Sequence, residues 1–363
     1  MNNYLSDKLK VLSFVCIVFV VWIHMYYTEG EQYVSTLFLM NIMGGGICCV
    51  AVPLFYSISG YLFFLNTRDK GLHGIFIKQR KRVRTLLIPY ILTNILSMLF
   101  FYVLKIISTK VSVLHTVINN NLLDRAGSDI IGVLYYCFWD GPIAFQMWFV
   151  RDLMVFVLFA PIIYYLLYLL SLHTILTILG LISGIILVFL HHDPFSWSFG
   201  WYTMGGLLSM SDKVSIIGME HSMSTLRLLK KLQILLVSVV GIIIIINALY
   251  VVKIIDFQVN PDFVTILGVP ALWLTYDRFT KGKVYCKGEK VSLVCSKTFF
   301  IYLIHEPFLN IFKKVPLVLS KSELCINFSY LLVPLLFIYV TIKVASFLKN
   351  KVPQIYNFYT GGR

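Results

Sequence analysis

"LKVLSFVCIVFVVWIHMYY", residues 9–27, decides the fold class. A bilayer-crossing helix needs about 20 apolar residues, and this run supplies them almost without interruption. The next residues are "TEGEQ", with no small-residue cleavage site, so the run is predicted to be a retained first span and not a removed signal peptide. Near its far end sits one ionisable ring, His24. A helix-end histidine can simply meet the lipid headgroups. An ionisable group at membrane depth is costly, however, and such groups usually serve function. The rest of the sequence has to choose between these readings.

Composition supports a membrane assignment. Of 363 residues, 58% are hydrophobic and 13% charged, and the mean hydropathy is +0.82. Soluble domains carry roughly a quarter charged residues. Apolar runs recur at 9–27, 43–65, 86–107, 147–170, 174–190, 197–210, 232–252, 263–276, 292–312 and 326–348. The prediction is one all-α polytopic membrane domain over residues 1–363 with about ten transmembrane helices. With the N-terminus inside, the inner segments hold 21 Lys and Arg (counting Lys10) and the outer ones 7 (counting Lys105). That ratio obeys the positive-inside rule, so both termini are expected on the cytoplasmic side. The net charge of +14 is thereby explained by topology, and nucleic acid is not an expected partner.

The seven cysteines contain no CxxC pair. Cys137 and Cys325 fall on the predicted outer side, where they can pair, although spacing alone does not establish it. No metal site is indicated: His191, His192 and Asp193 form a short loop cluster without ligand spacing. The longest segment outside the spans, 108–146, is expected to form a partial lid over the outer face.

Four stretches carry candidate chemistry. "AVPLFYSISGYLFF", residues 51–64, has Pro53 and Gly60 in a span, which suits either a kinked packing helix or a cavity wall. "IKQRKRVRTLLIPY", residues 77–90, ends a run with seven Lys or Arg between Arg68 and Arg84. Arg80 and Arg84 share one helical face, as do Lys81 and Arg84. Clustered guanidinium groups suit phosphate, and equally they suit anionic lipid. "QMWFVRDLMVF" places Arg151 beside Asp152, where a structural ion pair competes with a polar lining, each side chain facing a partner on another helix. "FFIYLIHEPFLN", residues 299–310, sets His305 and Glu306 ahead of Pro307, the pattern of a kinked helix lining a wet cavity.

Taken in order, these stretches resemble the acyltransferase-3 family of integral membrane acyltransferases. The resemblance runs nearly end to end: "VVWIHMYY", "VPLFYSISGYLF", "RTLLIPY", "WFVRDL" and "IYLIHEPF". The second and fourth are the most specific. The resemblance implies acyl transfer from cytoplasmic acyl-coenzyme A to a hydroxyl, commonly on a surface carbohydrate such as an exopolysaccharide or lipid-linked glycan. Acetyl is the default acyl group, no cofactor stays bound, and the location implied is a bacterial cytoplasmic membrane. By the same analogy His24 matches the family's essential histidine, and Arg84 with Arg80 or Lys81 matches its basic motif. Arg151, Asp152, His305 and Glu306 are candidate cavity or transition-state support. Two departures stand out. The three-residue spacing here is Lys81–Arg84 where the family often has Arg-x-x-Arg, and Ser13 occupies the place of an arginine eleven residues before the histidine.

The resemblance fits a simple mechanism. His24 lies about 15 residues, roughly 22 Å, above the inner end of its helix. A donor held by its phosphates at the inner face can therefore extend its thioester up to the ring. A neutral imidazole can act as general base toward a hydroxyl, or take the acyl group itself. Because the chain ends soon after its last predicted span, the acceptor is expected to reach the membrane core or to receive the group through a glycan-assembly partner. The alternative is a transporter or flippase of a small molecule or glycan intermediate. No internal repeat is visible to favour it.

Overall fold

The computed structural model describes residues 3–108, 141–190, 194–211, 223–284 and 289–362, and among these it is helical throughout, without strands. The long helices are α1 (Asn3–Ile23), α3 (Ala51–Phe64), α4 (Gly71–Arg82), α5 (Ile88–Ser108) and α6 (Trp148–Leu158), with a short α2 (Val34–Met40) between the first two. There follow α7 (Ala160–Ser171), α8 (Thr174–Phe189), α9 (Pro194–Met210), α10 (Met223–Val251) and α11 (Asp262–Thr280). The chain closes with α12 (Glu289–Cys295), α13 (Thr298–Leu319), α14 (Glu323–Lys351) and α15 (Pro353–Tyr359).

Among the described residues four stretches are long and apolar enough to cross a membrane: Val34–Phe64, Gly71–Val103, Arg227–Val251 and Glu323–Lys351. Phe145–Leu158 and Ala160–Ser171 make a fifth if that pair, bent by 73°, counts as one span. The bend falls where Pro161 opens α7 and cannot donate to the preceding turn. The other five predicted spans fall on helices with weaker credentials. Helix α1 carries Asp7, Lys8 and Lys10 in its first half, and α8 and α9 have only 16 and 17 residues. Asp277 and Arg278 lie in the last turn and a half of α11, and the run 292–312 is divided between α12 and α13.

Large apolar side chains face outward along these helices, among them Leu158, Ile162 and Leu235, as lipid contact requires. Inside, α3 and α9 pack backbone to backbone. A Cβ on Gly60 would lie 2.0 Å from the Tyr202 carbonyl oxygen, so only glycine permits the approach. The charged first half of α1 is neutralised by α11. The fully buried Lys8 ammonium donates to Asp277 at 2.7 Å and sits 3.6 Å from the centre of the Trp273 ring. Tyr4 donates to the same carboxylate at 2.6 Å, and Tyr276 donates to Asp7 at 2.9 Å. Polar groups at the start of α1 are thus satisfied inside the bundle, which lets the helix stay buried.

Candidate active site

A mainly apolar cavity of about 530 Å³ opens between α1, α3, α6, α9 and α13. Ser13, Phe63, Arg82 and Ser296 line one end, and His24, Gln146 and His305 line the other. Eleven residues of helix separate Ser13 from His24, about 16 Å of axial length. Val52, Phe55, Ile58 and Ser59 of α3 form one side, so the "VPLFYSISGYLF" stretch is a cavity wall.

The histidine end is shaped by a break in α13. Pro307 has no N–H to offer the Leu303 carbonyl, and Glu306 leaves helical geometry (φ −103°, ψ 133°). The freed carbonyls need donors, because buried backbone groups are almost always paired. Gln146 supplies them: its Nε2 donates to the oxygen of Leu303 at 3.0 Å and to that of Glu306 at 2.7 Å. Tyr302 in turn donates to the Gln146 carbonyl at 2.5 Å, which locks the two segments together.

This break brings together residues 24, 305 and 306. The rings of His24 and His305 are 5.1 Å apart, and Phe145 meets His24 edge-on at 6.1 Å. Glu306 Oε1 lies 3.9 Å from His24 Nδ1, while Asn310 donates to the other carboxylate oxygen. Lys313 approaches the carbonyl oxygens of His24 and Tyr26 at 3.5 Å, a favourable place for a cation at the end of α1. His305 is fully buried, with Nδ1 2.8 Å from the Tyr302 carbonyl. A carbonyl can only accept, so Nδ1 carries the hydrogen and Nε2 presents a lone pair. Among the described residues that Nε2 has no hydrogen-bond partner, nor does the hydroxyl of Tyr202, which also lines the cavity. Buried polar atoms are normally satisfied, so a cavity with such atoms on its walls is suited to a polar ligand. His24 is 22% exposed, and with Nδ1 toward Glu306 its Nε2 is the nitrogen left to accept a proton.

The basic run divides. Arg82 lines the cavity, whereas Arg80, Lys81 and Arg84 line a separate cleft against α15. Those three line one cleft together, and none of them lines the cavity that holds His24. Arg151 and Asp152 lie outside the cavity lining and pair with each other, Nη2 to Oδ1 at 3.4 Å. The second Asp152 oxygen accepts from Tyr56 and Ser198 on two other helices, both at 3.1 Å. Cys137 and the cluster of His191, His192 and Asp193 lie outside the described residues, so the pairing suggested for Cys325 is not described.

Arg82, Gln146 and Asn310 are the site residues that sequence reasoning missed. Arg82 stands in the middle of a run read for its shared faces, and that spacing does not separate it from its neighbours. Gln146 acts on a carbonyl 157 positions away, with no local signal.

The described residues thus form a helical protein with several membrane-length apolar helices and a cavity at which two histidine rings meet. A family described as an acyltransferase domain matches residues 6–347, nearly the whole chain, and the chain belongs to this acyltransferase-3 family. It is therefore an acyltransferase enzyme with multiple membrane helices. No curated protein and no solved structure gives a significant match.

Proposed function

We propose that the protein moves an acyl group, by default acetyl, from cytoplasmic acyl-coenzyme A to a hydroxyl of a surface carbohydrate. The observation that carries this reading is the single cavity joining Arg82 at one end to His24 and His305 at the other. Its mainly apolar wall suits an extended pantetheine arm, with the phosphates at Arg82 and the thioester beside His24. The acceptor hydroxyl gives its proton to His24 Nε2 as its oxygen attacks the thioester carbonyl. Collapse of the tetrahedral intermediate breaks the carbon–sulfur bond, and the same proton passes to the departing thiolate. Direct acylation of His24 followed by transfer uses the same nitrogen. Glu306, held by Asn310, stabilises the charge that His24 gains. Arg82 replaces Arg80, Lys81 and Arg84 in this scheme, because it alone of the four lines the cavity.

The reading includes ten spans with both termini cytoplasmic, in a bacterial cytoplasmic membrane. It also includes a glycan acceptor that reaches the cavity directly or through a glycan-assembly partner. The test is to supply proteoliposomes with acetyl-labelled coenzyme A and a crude lipid-linked glycan fraction. Thiol release with label recovered as glycan ester is the expected result. Arg82→Gln should raise KM for the donor about ten- to a hundred-fold, the worth of one charge-assisted contact. Movement of glycan without any thiol release would favour a flippase instead.

A further inference from the structure

The cleft holding Arg80, Lys81 and Arg84 has no part in the reaction above, and its construction points to another ligand. Its volume is about 1090 Å³, and it shares no lining residue with the catalytic cavity. One wall is the α4–α5 face; the other is α15 with the turn after it, including Gln354, Asn357 and Gly361. That second wall is fixed in place. Tyr356 is buried with its ring stacked on Phe300 at 5.4 Å, and Thr93 donates to the Tyr359 hydroxyl at 3.3 Å. Gly361 has φ +65°, and a Cβ there would come within 3.0 Å of the Thr85 backbone, so glycine is what lets the turn close against α5.

The lining combines two chemistries. Arg80, Lys81 and Arg84 are exposed, and among the described residues none of them makes an ion pair. No Asp or Glu is present in the lining, while Gln354 and Asn357 add amide donors. Beside these polar groups stand exposed apolar side chains, Ile77 at 57% and Phe358 at 58%. Ile355, on the same short helix, is 67% exposed. Helices that lie in a membrane interface set apolar side chains beside polar ones, and α15 exposes Ile355 and Phe358 beside Gln354 and Asn357. The cleft therefore offers fork-shaped donors for a phosphate and an apolar flank for a chain.

We propose that this cleft binds the phosphodiester headgroup of an anionic phospholipid, with an acyl chain lying along Ile77 and Ile88. Free inorganic phosphate would meet the cations but leave the apolar flank uncovered, whereas a lipid chain covers it. The inference does not depend on the acyl-transfer reading.

Native mass spectrometry of the full-length protein tests it, with phosphatidylglycerol, phosphatidylcholine, inorganic phosphate and coenzyme A as separate probes. Phosphatidylglycerol should be retained at least tenfold better than phosphatidylcholine, and equimolar inorganic phosphate should not displace it. Arg80→Gln/Arg84→Gln should lower its retention at least tenfold and leave coenzyme A binding within twofold of wild type. Asn357→Glu, an exposed substitution that keeps all three cations, should lower it similarly even if the arginine variant fails to fold. Three results would overturn the proposal: equal retention of the two lipids, displacement by inorganic phosphate, or loss of coenzyme A binding in the arginine variant.

Discussion

Replacing Glu306 by Gln isolates the carboxylate that faces His24 among the described residues. The glutamine keeps the size of the side chain and an oxygen to accept from Asn310, so the break in α13 should survive. What it removes is a negative charge 3.9 Å from His24 Nδ1. Two unit charges at that distance interact by about 4 kcal/mol at an effective dielectric of about 20. Both partners are partly exposed, at 22% and 13%, so the gross figure is an upper bound. At 3.9 Å the pair is an ion pair without a hydrogen bond. Its net worth therefore lies between that bound and the roughly 1 kcal/mol of a fully exposed pair, at about 1.5–3 kcal/mol. Because His24 is charged only while it holds the proton, the loss falls on the transition state and on kcat. The expected change is about a ten- to hundred-fold drop in kcat, with KM for acyl-coenzyme A within threefold of wild type. Initial rates of thiol release in proteoliposomes, at matched protein levels, measure both constants. An unchanged kcat, or a loss confined to KM, would refute the reasoning.

Three further outcomes follow from the packing. Gln146→Leu leaves the Leu303 and Glu306 carbonyls without their donor, at about 1–3 kcal/mol for each buried group, and should lower both the unfolding temperature in detergent and the transfer rate. Lys8→Met strips Asp277 of its buried partner and should destabilise by about 3 kcal/mol; Lys8→Met/Asp277→Leu should recover part of that loss in the same thermal assay. Gly60→Leu should give no folded protein in the membrane, read as loss of detergent-soluble monodisperse material, because its Cβ would collide with the Tyr202 carbonyl.

Much of this arrangement is legible in the sequence because it rests on local rules. Apolar runs mark the helices, Pro307 marks the break in α13, and His24, His305 and Glu306 stand out as ionisable groups among hydrocarbon. That the three meet, across 281 positions, could be inferred only from their shared improbability. Spacing paired Arg80 with Arg84 and Lys81 with Arg84, but it carries no information about which residue of the run reaches the cavity beside His24. The π-helical turn at Val83–Leu87, which follows directly on Arg82 and contains Arg84, has no sequence mark of its own. The pairing of Lys8 with Asp277 and of Gln146 with the α13 carbonyls is likewise non-local, decided by which helices become neighbours.

The central claim is that His24 performs the transfer. The most direct measurement compares wild type and His24→Gln, at matched membrane levels, for donor binding and for ester formation on the acceptor. Glutamine keeps polarity and hydrogen bonding but cannot take up a proton near neutral pH. The account predicts unchanged acyl-coenzyme A binding and at least about a hundred-fold loss of transfer. Near-normal acylation by the His24→Gln protein would contradict it.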